Sequence, residues 1–270
     1  MRDSARSPVA STALPLVISC EHAGHGVPPD VDLGVASEVR LSQAGWDEGA
    51  LAIAHIIAAG VGARWQHRAT LAAGPSAGVP VVRPRVHAGS YTRLFVDLNR
   101  AADHPDCVPS LCYGAVVERN AQLSAAAKQE RVDRYHAPYW NAVAAEVAAG
   151  LARTGRVLHL SSHSFCPELD PPGRQFDLGV LFDPAHRLEA ELADAMIAAA
   201  RAHGLNVRAN APYSGTGPAL CTSLRQRFGA GYAGIELETS HAVVRRADGC
   251  ATIAAALTDW LAAATAPAPL

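Results

Sequence analysis

The sequence predicts a three-layer α/β fold, with a mainly parallel sheet and helices on both faces, filling one domain over residues 1–270. Two observations predict it. Apolar runs of about five to eight residues alternate with longer segments of helical period, the pattern of parallel strands joined by crossover helices. Hydrophobic residues make up 49% and charged residues 18%, which supplies a sizeable core and argues against a disordered chain. The length lies within what one sheet-based domain can fill.

Taken in order, residues 1–12 read as a flexible leader, followed by a strand at 14–20 (LPLVISC). A helix is expected at 47–60, with acids in its first turn and Gly60 as its stop. Strands are expected at 63–67 (ARWQH) and 94–98 (LFVDL), on either side of an irregular Gly/Pro/Ser-rich stretch at 69–92. An Ala-rich helical pattern at 122–153 leads to a strand at 156–162. Pro171-Pro172-Gly173 forbids regular structure within the loop 166–175. A strand at 177–182, a helix at 186–203 and strands at 206–209 and 232–238 follow. The last helix is expected at 248–264 with Asp248 as N-cap, and 265–270 as a flexible tail.

Composition excludes several functions. A net charge of −2 and a pI of about 6.6 leave no positive field for a phosphate backbone, so nucleic acid is not an expected partner. No stretch offers about 18 to 20 continuous apolar residues, so no membrane partner is expected either. The apolar run at 14–19 is too short for a secretory signal. The six cysteines form no C-x-x-C pair and are expected as free thiols in a cytoplasmic protein.

Candidate chemistry collects where apolar strands end, the position at which open α/β folds bind ligands. Cys20-Glu21-His22 leaves the first strand, and His163 ends a later one, with His159 and Ser161 on the same face by strand alternation. Two such histidines form a nitrogen pair for a catalytic zinc or another divalent ion, which needs a third ligand and an open position. Asp47 is the preferred third ligand, although N-capping would also call for an acid there, and Glu21 is the reserve. His159, deeper in its strand, reads as a core histidine.

Asp97-Leu98-Asn99-Arg100 places Asn99 and Arg100 for a substrate carboxylate, with Arg93 and Arg174 as further forks; an internal Asp97–Arg pair is the structural alternative. Glu236, on one strand face with Glu238, is the candidate general base. The turn Asn210-Ala211-Pro212-Tyr213-Ser214-Gly215 could present Asn210, Tyr213 and backbone N–H groups to an oxyanion or carboxylate.

Together, Cys20-Glu21-His22-Ala23, Trp46-Asp47-Glu48-Gly49-Ala50, Arg93 with Asp97-Leu98-Asn99-Arg100, Tyr135-His136, His163-Ser164-Phe165, Arg174, Asn210 to Gly215 and Glu236 resemble N-formylglutamate amidohydrolases, in order, over roughly 14–240. Glu21-His22-Ala23-Gly24 stands where family members often read Pro-His-Ser-Gly, which marks a divergent branch. The resemblance implies a phosphorylase/hydrolase-like fold related to zinc carboxypeptidases. It implies hydrolysis of a small acidic N-acyl amino acid. A zinc peptidase or cell-wall amidase, and a non-catalytic module binding an acidic metabolite, are the competing expectations.

Overall fold

The computed structural model describes residues 13–73, 82–169 and 174–267. The expected leader at 1–12, the Pro171–Gly173 turn and the end of the tail at 268–270 lie outside the described residues. In chain order the elements are β1 (Leu16–Cys20), α1 (Ser37–Arg40), α2 (Ala50–Ala73), β2 (Val86–Ala88), β3 (Leu111–Cys112), β4 (Ala115–Val116), α3 (Glu118–Ala121) and α4 (Ala125–Arg131). A π turn, Val132–His136, runs on into α5 (Ala137–Thr154). Then come β5 (Val157–Phe165), β6 (Leu178–Leu181), α6 (Arg187–Ala202), β7 (Val207–Ala209), α7 (Leu220–Phe228), β8 (Tyr232–Ser240), α8 (His241–Val244) and α9 (Gly249–Ala264).

Among the described residues six strands form one sheet in the order β2-β1-β5-β8-β6-β7. All its pairs are parallel except β6 with β8, so the sheet is mixed but mostly parallel. Its two faces differ in chemistry because strand side chains alternate. Leu16, Ile18, Leu158, Leu160, Val180, Ile235 and Leu237 point to one face and pack with α2, α6 and α9 in the main core. Val17, Val157 and Tyr232 point to the other and pack under α5 and α7. Towards the carboxyl ends of the strands this second face turns polar, carrying Ser19, His159, Ser161, His163, Glu236 and Glu238, all buried.

Several expectations need correction. Residues 63–67 are helical: α2 runs past Gly60, where an added Cβ would lie 2.8 Å from the Thr258 side chain, so the glycine lets α2 and α9 approach closely and is no stop. Residues 94–98 are no strand, although Leu94, Phe95, Val96 and Leu98 are as buried as strand residues. Their carbonyls find side chains where a strand would find a ladder: Asn120 Nδ2 donates to Leu94 O (2.7 Å), Arg131 Nη1 to Phe95 O (2.9 Å) and Trp140 Nε1 to Leu98 O (2.8 Å). Asp248 makes no side-chain cap on α9. At the start of the expected tail, Ala266 N–H donates to Leu14 O (3.0 Å) and Thr265 is buried. Among the described residues no helix is long and apolar enough to cross a membrane.

Candidate metal centre and active site

The site lies on the polar face of the sheet, where the chain leaves β1 and β5. Immediately after β1 it turns at Glu21-His22 and runs beneath the segment around Gly89 and Ser90. A Cβ on Gly24 would sit 2.3 Å from Ser90 O, so only glycine permits this close crossing. The His22 carbonyl accepts from Asp47 N–H (3.0 Å), which brings the segment before α2 under the histidine. Asp47 therefore points its side chain into the site, and the start of α2 takes no side-chain cap from it.

His22, Asp47 and His163 form a buried group whose ligand atoms all lie within 4.8 Å of one another. Asp47 Oδ2 is 2.8 Å from His163 Nδ1 and 3.4 Å from His22 Nδ1. The opposite ring nitrogens face other carboxylates: His22 Nε2 is 2.7 Å from Asp97 Oδ1, and His163 Nε2 is 3.0 Å from Glu21 Oε2. This is the arrangement in which metal-ligating imidazoles are oriented by an acid on their far nitrogen. Glu21, the reserve ligand, is thus on the far side of His163, held there by Tyr139 OH (2.9 Å) and Ser161 OH.

Two features fit a cation. His22 Nδ1 is buried with no hydrogen-bond partner among the described residues, a costly state unless the nitrogen serves a ligand. The carboxylates of Glu21, Asp47, Asp97, Glu236 and Glu238 are buried around it, with Arg93 the buried arginine bonded to Asp47. Burial alone would raise these acids. In Asp47 it is outweighed by Arg93 and His22, in Asp97 by His22, and in Glu21 by the hydrogen bond and charge of His163, so all three lie below the usual range. Glu236 and Glu238 go the other way: burial dominates and pushes Glu238 up to about 8, against the opposing charge of His163. Burial likewise depresses His163, but hydrogen bonds to Asp47 and Glu21 outweigh it and raise that imidazole well above its ordinary value.

The group opens into a cavity of about 220 Å³ whose walls include Asn99, Arg100, Glu236 and Glu238. Asn99 is pinned by Leu220 N–H on its Oδ1 (2.9 Å), and its Nδ2 lies 3.4 Å from Glu236 Oε2. Arg100 lines the wall, with Nη1 donating to Pro218 O (2.5 Å). Arg93 also lines it but is committed to Asp47. Arg174 stands behind Tyr213, its guanidinium 5.1 Å from that ring, and does not reach the cavity wall. Asn210 Oδ1 accepts from Phe182 N–H (3.0 Å) and Gly215 N–H (3.1 Å), tying the loop after β7 to the end of β6, and Asn210 is not among the residues lining the cavity.

Three partners went unread in the sequence. Asp97, for which the sequence suggests an arginine partner, instead holds His22 Nε2; its place in Asp-x-Asn-Arg is the signal the sequence offers. Gln43 Nε2 bridges Asp47 Oδ1 and Ser164 O, 3.1 Å each, from a loop without any distinguishing pattern. Tyr139, near the start of α5, supplies the hydroxyl on Glu21. Ser161 Oγ lies 2.9 Å from His163 Nε2, but it bonds Glu21 and is absent from the cavity wall, which argues against a serine nucleophile.

The model of the N-formylglutamate amidohydrolase family matches residues 14–244. The chain belongs to the N-formylglutamate amidohydrolase family. Solved structures agree in fold with this family member. A gene product of Agrobacterium tumefaciens superposes with a TM-score of 0.71 at 25% identity, over 94% of this chain and 92% of that one. The N-formylglutamate amidohydrolase from Ralstonia eutropha superposes with a TM-score of 0.62 at 23% identity, over 93% and 92%. No curated protein matches significantly. Family membership makes amide-bond hydrolysis of a small amino-acid derivative the activity to be tested at this site.

Proposed function

We propose that the chain hydrolyses the amide bond of a small acidic N-acyl amino acid, such as N-formylglutamate, using a divalent cation, zinc in the first instance, held by His22, Asp47 and His163. The observation that carries this reading is the unpartnered buried Nδ1 of His22 facing Asp47 and His163, with Asp97 and Glu21 behind the two rings. A cation bound there supplies Lewis acidity towards a water or an amide carbonyl.

The chain's own groups do the rest. Glu236, buried at the cavity wall with its carboxyl raised, accepts a proton from the attacking water and returns it to the leaving nitrogen as the C–N bond breaks. The products are a carboxylic acid and a free amino acid. Asn99 fixes Glu236 by its amide hydrogen bond. Arg100 meets the substrate carboxylate from the wall, Arg93 keeps Asp47 ionised, and Arg174 steadies Tyr213 from behind. A zinc-carboxypeptidase-like arrangement of metal and base is part of this reading.

The test is metal content and turnover together. Purified protein is expected to hold about one equivalent of zinc and to release formate from N-formylglutamate, and folded His163→Ala is expected to lose both. Arg100→Ala is expected to raise KM about tenfold or more, as loss of a charged hydrogen bond to substrate does. Metal-free parent protein with no turnover on a panel of N-acyl amino acids would overturn the reading and favour a binding module.

A further inference from the structure

The cavity mouth is spanned by two tyrosines from segments far apart in the chain. Tyr113 stands at the tip of the β3–β4 hairpin and Tyr213 in the loop that follows β7; their hydroxyls are 2.9 Å apart. Both line the cavity that holds His22, Asp47 and His163. Tyr113 is 45% exposed, which puts it at the rim with one side towards solvent. The arrangement is braced from both flanks: the guanidinium of Arg93 lies 5.9 Å from the Tyr113 ring centre, and Arg174 lies 5.1 Å from that of Tyr213, with Nη1 3.5 Å from its hydroxyl.

The hairpin turn adds an independent argument. Its two central residues, Tyr113 (φ 46°) and Gly114 (φ 80°), both have positive φ, the requirement of a two-residue turn that ordinarily takes Asn-Gly or Gly-Gly. The β-carbon of tyrosine is disfavoured in this region, so the turn gains nothing from it. What tyrosine supplies, and asparagine or glycine would not, is a ring long enough to carry a hydroxyl across to Tyr213. An uncommon backbone state at a cavity mouth points to a use for the side chain.

We propose that the Tyr113–Tyr213 bridge is a size gate. It closes the cavity over a single N-acyl amino acid and turns away substrates that continue beyond the amino-acid carboxylate, such as N-acyl dipeptides. The cavity of about 220 Å³ is smaller than the roughly 300–1,000 Å³ typical of drug-sized ligand sites. The His22–Asp47–His163 group and the two tyrosines line this one cavity, and the bonded hydroxyls leave no gap between them, so a second residue attached to the carboxylate would have to displace the bridge. The choice of substrates rests on the amide-hydrolase reading; the gate itself rests on the bridge.

The experiment compares N-formylglutamate with N-formylglutamyl-alanine on the parent, Tyr113→Ala and Tyr213→Phe, by turnover and by calorimetric Kd, with circular dichroism to confirm folding. The parent is expected to favour the single amino acid by about 10²-fold in kcat/KM, a discrimination within reach of one pocket. Tyr113→Ala is expected to narrow the ratio about tenfold by admitting the dipeptide, and Tyr213→Phe, which keeps the ring but cuts the hydroxyl link, by less. Turnover with a ratio unmoved in either folded variant, or a parent that takes the dipeptide equally well, would overturn the gate and leave the hydrolase reading standing. Absent turnover with a size preference in Kd that the variants relax would keep the gate and sink the hydrolase reading. Failure of the parent to bind the single amino acid would overturn the gate.

Discussion

His159 and His163 occupy the same face of one strand, both fully enclosed, yet they do opposite things. His159 has neutral partners on both nitrogens, Ser19 Oγ on Nε2 and Tyr232 OH on Nδ1, each at 2.7 Å, and burial pushes it down to about 4. His163, two repeats of the strand alternation nearer the carboxyl end, has Asp47 and Glu21 on its nitrogens, and these reverse the effect of burial. Burial is therefore common to both histidines, and the charge of the partners separates them. Hydroxyls close the deep end of the polar face as a satisfied network. Carboxylates leave the mouth end with surplus negative charge and an unpartnered nitrogen on His22, which is what a cation requires.

The sharpest way to break this contrast is at the mouth. Glu236→Gln is nearly isosteric and keeps the Asn99 contact within reach, but it cannot take a proton. Its kcat for N-acyl amino acids is expected to fall about 10²–10⁴-fold with metal content unchanged. Steady-state kinetics on the metal-loaded protein decide it, and a loss under tenfold would move the base to Glu238, which shares that strand face. Asp97→Asn comes next. If Asp97 orients His22 for a cation, the substitution is expected to weaken metal affinity or activity about 10–100-fold, read by titration with a competing chelator. Unchanged affinity would make the Asp97–His22 contact a structural pair like those at the deep end.

Much of this was legible beforehand, for a physical reason. The strand face alternates, so His159, Ser161 and His163 had to share a side, and an apolar strand ending in polar residues had to present them at the crevice. The same rules failed where burial is achieved without regular structure. Leu94 to Leu98 read as a strand because its composition records burial, whereas its carbonyls are met by Asn120, Arg131 and Trp140 from elements no local pattern connects to it. Gly60 read as a helix end because composition does not show that Thr258 of another helix lies against it. The choice between Asp47 and Glu21 was equally hidden: both acids reach His163, and only the fold decides which ring nitrogen each one meets. Asn210 sits in a polar turn at the right place, but turn composition does not say whether an amide faces outward or holds its own backbone.

The smallest expected effect sharpens the contrast from the deep end. His159→Gln can keep a donor and an acceptor for Ser19 and Tyr232 while removing the titration, so activity at neutral pH is expected to stay within about threefold of the parent. The difference should appear in stability. An imidazole whose folded pKa is depressed to about 4, against about 6.5 in an unfolded chain, contributes fully above pH 6.5. It loses that contribution as pH falls towards 4, because the unfolded state binds the proton first. Over that window the parent is expected to lose up to about 3 kcal/mol more than the variant, at about 1.4 kcal/mol per pH unit. Urea unfolding of both proteins at pH 7, 5.5 and 4.5 measures it. Parallel pH profiles would mean that His159 takes up its proton as readily in the folded as in the unfolded chain, and that hydroxyl partners do not keep a buried imidazole neutral here.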